Sequence, residues 1–121
     1  MSRILYVDDE ADIREVAQLA LELDPEIEVR TCASGEEGLA AARAWLPDLI
    51  LLDVMMPVMD GPTVLQRLGE SPETAAIPVV FITARTQAKE VDALRELGAR
   101  GVLAKPFDPM TLAEQARAFL R

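Results

Sequence analysis

The sequence predicts an α/β fold, a doubly wound parallel sheet of five strands with helices on both faces. Short apolar runs alternate five times with stretches of helical periodicity along the 121 residues. The run at 49–53 (LILLD) is apolar almost throughout, which is typical of a central parallel strand buried on both faces. Because the five strand–helix pairs use the whole chain, we expect a single domain over residues 1–121.

The first half of the chain supplies two strand–helix pairs. Residues 3–7 (RILYV) predict the first strand, and the apolar spacing within 11–23 predicts an amphipathic helix. Residues 27–32 (IEVRTC) alternate apolar and polar side chains, which favours a strand nearer the edge of the sheet. The sequence SGEE at 34–37 is a capping box, so we expect the second helix to begin there and to reach about Trp45.

The third strand, at 49–53, leads into a helix that begins at Asp60. An aspartate is a favoured N-cap, and the helical pattern fades near Gly69. The Ser-Pro pair at 71–72 is expected to lie in a loop. Residues 78–82 (PVVFI) then predict the fourth strand.

The last two pairs complete the sheet. Apolar residues at helical spacing predict a fourth helix over 87–97, which Gly98 ends. Residues 101–104 (GVLA) predict the fifth strand. Asp108 followed by Pro109 is the pattern of an N-cap with proline at the first helical position, so we expect the last helix to begin there.

Composition excludes several classes of function. A formal net charge of −9 argues against nucleic-acid binding, since phosphate contacts need a basic face, and against binding an anionic membrane. The absence of histidine excludes Ser-His-Asp and Cys-His catalysis and any Cys/His zinc site. Cys32 is the only cysteine, so no intrachain disulfide can form. Neither a signal peptide nor an apolar run of roughly 20 residues is present, so we expect a cytoplasmic protein.

Polar residues collect at the carboxyl ends of the predicted strands. They are Asp8, Asp9, Asp53, Thr83 and Lys105. In the flavodoxin-like strand order 2-1-3-4-5, ligands bind between the first and third strands, where the three aspartates would converge. Clustered carboxylates raise each other's proton affinity, and a hard cation such as Mg²⁺ removes that conflict. The lysine and the threonine can hold phosphoryl oxygens, so the pattern predicts a site for Mg²⁺ and a phosphoryl group.

Four motifs give the chain a family resemblance. They are Val7-Asp8-Asp9-Glu10, the stretch DVMMPVMDG at 53–61, Thr83-Ala84 and Lys105-Pro106-Phe107. In this order, each at a strand end, they resemble a response-regulator receiver domain (CheY-like) of two-component signal transduction, over essentially the full length. The resemblance implies a phosphorelay protein that is not an enzyme in its own right, with no output domain in this chain.

The resemblance implies a role for each acid of the site. Asp53 would accept a phosphoryl group from a histidine kinase or a histidine phosphotransfer protein. Asp9 and Asp53 would bind Mg²⁺ directly, together with the backbone carbonyl of Met55, whereas Asp8 would act mainly through a bound water. Glu10 is expected to lie mostly in the first turn of a helix, with at most a supporting part.

Further implications concern the switch itself. Thr83 and Lys105 would hold the phosphoryl oxygens, and the Lys105-Pro106 peptide would be cis. Many receivers carry an aromatic residue three positions before the lysine, and its ring turns inward to couple the site to the output face; this chain has Val102 there, which has no ring to turn. A downstream protein target is implied, as is dimerisation through the face of the fourth helix, fifth strand and last helix.

Two other functions share part of this residue pattern. A haloacid-dehalogenase-like phosphatase also forms an aspartyl-phosphate, but it places a second aspartate two residues after the nucleophile, where this chain has Met55. A pseudo-receiver that acts only as a scaffold would not need Asp53 and Lys105, which are both intact. Asp60 is interpreted as a helix cap rather than a metal ligand.

Overall fold

The computed structural model describes residues 1–120 and contains one parallel sheet in the order β2-β1-β3-β4-β5. The strands are β1 Ser2–Val7, β2 Ile27–Cys32, β3 Leu49–Asp53, β4 Val79–Thr83 and β5 Gly101–Ala104. The helices are α1 Ala11–Glu22, α2 Gly35–Trp45, α3 Gly61–Gly69, α4 Pro72–Ala75, α5 Ala88–Glu96 and α6 Leu112–Ala118. The predicted fold class and strand order are confirmed.

The two faces of the sheet bury separate apolar clusters. Successive side chains of a strand point to opposite faces, so Leu51 and Leu52 of β3 belong to different clusters. The cluster on one face includes Phe81 and Trp45, and the cluster on the other includes Tyr6. The strands β3 and β4 are buried along their whole length, which confirms the burial predicted from the apolar run of β3.

The strand register brings the polar residues to one edge. Val7 lies opposite Leu52, so the acids after β1 lie beside Asp53 at the end of β3. Asp53 in turn lies opposite Ile82 of β4, one residue before Thr83. The carboxyl ends of the strands therefore form a common edge on which the candidate site lies.

Local sequence signals explain most helix boundaries. The side chain of Asp60 accepts a hydrogen bond from Thr63 N at 2.9 Å, which confirms its role as N-cap of α3. Ser34 Oγ accepts from Glu37 N at 3.2 Å, as the capping box requires, although Glu37 reaches back to Ala33 N. Gly98 follows α5 with φ of 112°, a left-handed conformation that suits glycine.

The structure differs from the sequence prediction around Ser71. The segment expected as a loop contains the short helix α4, whose first turn is closed by Ala75 N donating to Ser71 O at 2.9 Å. The buried Thr74 donates its hydroxyl to Leu68 O at 2.6 Å, which anchors the turn to the end of α3. This hydrogen bond between α4 and the end of α3 has no signature in the local sequence.

The prediction that the last helix begins at Asp108 was wrong. The side chain of Asp108 accepts from Met110 N at 2.9 Å and its carbonyl accepts from Thr111 N at 3.1 Å, so a separate turn precedes α6. The helix predicted over 87–97 ends at Glu96 as α5, and Leu97, which follows it, is 56% exposed. None of the described helices has the length and apolar character needed to cross a membrane.

Candidate functional site

A cleft of about 390 Å³ opens at the carboxyl edge of the sheet. Glu10, Asp53, Thr83, Arg85 and Lys105 are among the residues that line it. Asp53 and Thr83 end neighbouring strands and are buried, whereas Glu10 is exposed. The cleft thus has a buried polar floor and an exposed rim, and it is large enough for a small polar group.

Lys105 is the electrostatic centre of the site. Its Nζ lies 3.1 Å from Asp8 Oδ2, 3.1 Å from Glu10 Oε1 and 3.3 Å from Asp53 Oδ2. One ammonium therefore interacts with three carboxylates drawn from β3 and from the segment after β1. Three carboxylates surround one ammonium, so the cluster retains negative charge that a further cation can offset.

Asp8 is the most firmly held of the acids. It is fully buried, with Oδ2 accepting from Tyr6 Oη at 3.0 Å and Oδ1 accepting from Glu10 N at 3.0 Å. Arg14 of α1 donates to its carbonyl oxygen at 2.7 Å. Burial, followed by the charge of Asp8, raises the pKa of Tyr6 far above its ordinary value, so the phenol stays a donor to that carboxylate.

The surroundings of Asp53 raise its pKa to about 6. Burial is the main cause and the charge of Asp8 is the second, while Lys105 acts in the opposite direction. For Lys105, burial lowers the pKa, but hydrogen bonds to Asp8 and Glu10 outweigh it and raise the pKa above its ordinary value. The lysine is therefore a permanent cation and Asp53 a carboxylate of enhanced basicity.

Three of the acids could hold a metal ion together. Carboxylate oxygens of Asp8, Glu10 and Asp53 all lie within 4.8 Å of one another. Oxygen ligands of this type suit hard divalent cations. Asp9 is exposed and is not one of these three, so Glu10 is closer to the cluster than the sequence indicated. Ligation by Asp9 and by the carbonyl of Met55 remains a prediction.

The remaining predicted residues also meet at this edge. Thr83 Oγ1 accepts from Arg85 N at 3.0 Å, and the carbonyl of Thr83 accepts from Lys105 N at 2.9 Å. The Lys105-Pro106 peptide is cis, as the resemblance implied. Asp60 caps α3 and is not one of the three clustered acids, in agreement with its interpretation as a helix cap.

Sequence reasoning missed Tyr6 and Arg85 as components of the site. Tyr6 sits within an apolar run, but it is two residues before Asp8, and residues at that spacing in a strand share a face. That periodicity could have identified it. Arg85 lies in the loop after Thr83, where no periodic pattern indicates the direction of a side chain.

Comparison with known proteins gives consistent matches. Residues 4–117 match the family model of the response regulator receiver domain. The chain is 39% identical over 120 residues to the transcriptional regulatory protein CseB of Streptomyces avermitilis, covering 99% of this chain and 49% of that protein. It is 45% identical over 122 residues to the response regulator PleD of Caulobacter vibrioides, covering 99% of this chain and 26% of the relative.

Solved structures resemble the chain over nearly its full length. The chemotaxis response regulator CheY4 of Vibrio cholerae superimposes with a TM-score of 0.90 at 34% identity, covering 98% of both chains. In contrast, the chain spans about half the length or less of the curated relatives CseB and PleD. The similarity therefore concerns one portion of those longer regulators.

Proposed function

Because the chain belongs to the response regulator receiver domain family, we propose that it accepts a phosphoryl group on Asp53 and regulates partner proteins. The observation that carries the proposal is the placement of Asp53 Oδ2 at 3.3 Å from Lys105 Nζ, in a cleft that also contains the Thr83 hydroxyl. A carboxylate, a fixed cation and a hydroxyl donor are the groups that phosphoryl transfer to aspartate requires.

The proposed chemistry is a transfer between two proteins. A carboxylate oxygen of Asp53 attacks the phosphorus of a phosphohistidine, the P–N bond breaks, and the released imidazole takes up a proton. With a pKa of about 6, Asp53 is mainly ionised at neutral pH and can act as the nucleophile. Lys105 and Thr83 hold the phosphoryl oxygens as charge develops on them. The donor is another protein, because this chain has no histidine.

We assign the metal site to Mg²⁺, which would neutralise phosphoryl charge when bound. The proposed direct ligands are Asp9, Asp53 and the backbone carbonyl of Met55, with Asp8 acting through a water. The grouping of Asp8, Glu10 and Asp53 supports a cation at this position and adds Glu10 to the acids around it. The small number of carboxylates and the adjacent phosphoryl group are the reasons to prefer Mg²⁺, since this ion takes one or two carboxylates and would complete its shell with waters and phosphate oxygens.

The proposed partners are a histidine kinase or a histidine phosphotransfer protein upstream, and a protein target downstream. We also propose dimerisation through α5, β5 and α6, action in the cytoplasm, and a single domain over residues 1–121. One relative, RpaA of Synechocystis, is a DNA-binding transcriptional regulator, and this chain covers 50% of its length. We expect no direct nucleic-acid contact by this acidic chain.

The test is modification by a small phosphoryl donor. With Mg²⁺ present, we expect acetyl phosphate to add one phosphoryl group, detected by intact-mass spectrometry, and beryllofluoride to shift amide resonances around Asp53. Asp53→Asn should abolish both effects because the nucleophilic oxygen is lost. Asp60→Asn is the matched control, since Asp60 caps α3 outside the acidic cluster. An unmodified parent protein, or a modified Asp53→Asn variant, would disprove the assignment.

A further inference from the structure

Arg85 lies between two clefts. It lines the site cleft with Asp53 and Lys105, and it also lines a neighbouring cleft of about 440 Å³ with Glu90. Within residues 1–120, the Arg85 side chain takes part in none of the salt bridges or hydrogen bonds. Its guanidinium is therefore an uncommitted cation at the border of the proposed phosphoryl site.

The backbone of Arg85 is attached to the site through Thr83. Arg85 N donates to Thr83 Oγ1 at 3.0 Å. A threonine hydroxyl can accept one hydrogen bond while donating its own proton elsewhere. Thr83 can thus donate to a phosphoryl oxygen without releasing Arg85, which keeps the arginine at the rim of the cleft in both states of the protein.

Glu90 supplies a second partner for the arginine. Its Oε2 is buried and has no hydrogen-bond donor among the described residues. A buried carboxylate oxygen without a donor has an uncompensated desolvation cost. Arg85 is the basic residue among those that line the same cleft, so rotation of its side chain toward α5 would satisfy this oxygen.

Phosphorylation would change which partner attracts the arginine more strongly. A phosphoryl group carries a charge of about −1.5 to −2, and Lys105 is already shared by three carboxylates. We propose that Arg85 is a phosphoryl-binding residue, which pairs with the phosphoryl group on Asp53, and that Glu90 competes for the same guanidinium in the unmodified protein when the arginine side chain rotates toward α5. This inference rests on the proposed phosphorylation of Asp53.

The consequence is a link between the site and α5 that requires no aromatic ring. Modification of Asp53 draws the guanidinium toward the site, so the arginine is no longer available to the Glu90 carboxylate on α5. Charge-assisted pairs of this kind are stronger than neutral hydrogen bonds. The link operates in a chain that has Val102 at the position where many receivers place an aromatic residue.

The experiment is a beryllofluoride titration, followed by NMR, of the wild type, Arg85→Gln, Glu90→Gln and the double variant in the presence of Mg²⁺. Arg85→Gln should weaken the apparent affinity about fivefold, as expected for loss of a partly exposed ion pair. Glu90→Gln should tighten it about twofold by removing the competing partner, but only when Arg85 is present. Lys89→Gln and Asp92→Asn make the same charge changes on α5 outside both clefts.

The outcomes separate this inference from the proposed function. A wild type that does not bind beryllofluoride contradicts both. If the wild type binds and Arg85→Gln behaves like Lys89→Gln, the inference is overturned while the proposed function stands. An equal effect of Glu90→Gln in both backgrounds also overturns it. In the unmodified protein, the Arg85 Nε resonance should shift in Glu90→Gln and not in Asp92→Asn, which tests the resting pair independently.

Discussion

The two edges of the sheet use charge in opposite ways. At the amino edge, Arg3 N donates to Asp48 Oδ2 and Arg3 Nη1 donates to the carbonyl of Trp45, each at 2.8 Å. The Arg30 guanidinium also lies 4.5 Å from the centroid of the Trp45 ring. At the carboxyl edge, three carboxylates surround the single ammonium of Lys105. At the amino edge, each arginine therefore has a hydrogen-bond acceptor or an aromatic ring as its partner. At the carboxyl edge, carboxylates are in excess over the ammonium that they surround.

This difference separates a structural edge from a functional one. Paired charges and a buried aromatic ring at the amino edge favour the folded state and leave no demand for a ligand. Acid in excess at the carboxyl edge opposes folding of the ligand-free protein, and a cation or an added cationic contact relieves it. Variants at the two edges should therefore separate stability from ligand binding.

The largest expected effect on stability is at the amino edge. Trp45 is 6% exposed and packs in the cluster that contains Phe81, so Trp45→Ala should lower the free energy of unfolding by about 3 kcal/mol. Urea denaturation followed by circular dichroism measures this loss, and Trp45→Phe should lose less. Beryllofluoride affinity of the folded variants should stay within about twofold of wild type, because additivity holds for distant sites. A greater loss of affinity would mean that the two edges are coupled.

At the carboxyl edge, the largest expected effect is on Mg²⁺ binding. Asp9→Ala removes a proposed ligand and should weaken Mg²⁺ affinity at least about tenfold, whereas Asp60→Ala should change it little. Isothermal titration calorimetry in metal-free buffer measures both. Glu10→Ala gives the comparison between two acids: Glu10 lies in the observed cluster, whereas Asp9 is the ligand that the family resemblance implies. Equal losses in Asp9→Ala and Asp60→Ala would contradict the ligand assignment.

A smaller effect, of opposite sign, is expected for the stability of Asp53→Asn without Mg²⁺. The pKa of Asp53 is about 6 in the folded protein against an ordinary value of 3.8, so ionisation of this carboxyl disfavours folding. The favourable contribution of protonated Asp53 to stability is complete below pH 3.8, and it is lost as the pH rises through about 6. The variant should therefore exceed wild type by about 1 kcal/mol at pH 7, with the gain appearing between the two values.

Thermal unfolding in EDTA across that pH range measures the difference. Asp48→Asn is the control at the amino edge, where the carboxylate accepts from Arg3 N, and it should be less stable than wild type. If Asp53→Asn is no more stable than wild type at pH 7, the acid excess at the carboxyl edge does not oppose folding.

Much of the fold and the site followed from the sequence for identifiable reasons. Uninterrupted apolar runs predicted the central strands, and the register of a parallel sheet then placed Asp8, Asp53 and Thr83 together. Features that depend on contacts between different elements could not be predicted from local sequence patterns. The hydroxyl of Thr74 anchors α4 through a carbonyl six residues away, and the proximity of Glu10 to Lys105 depends on the fold that joins distant segments.

The smallest effect is expected for Val102→Ala, which tests whether this position contributes to the chemistry at the carboxyl edge. Val102 is half-buried on β5 opposite Phe81 and packs against the cluster that contains it, so its loss should cost about 1 kcal/mol of stability. The site needs no side chain from residue 102, and the rate of phosphorylation by acetyl phosphate should stay within about twofold of wild type. Leu103→Ala, at a buried position next to it, controls for destabilisation of β5. A folded Val102→Ala protein with a large loss of phosphorylation would show that the strand positions Lys105 through this valine, and the coupling between packing and ligand binding would then extend into the carboxyl edge itself.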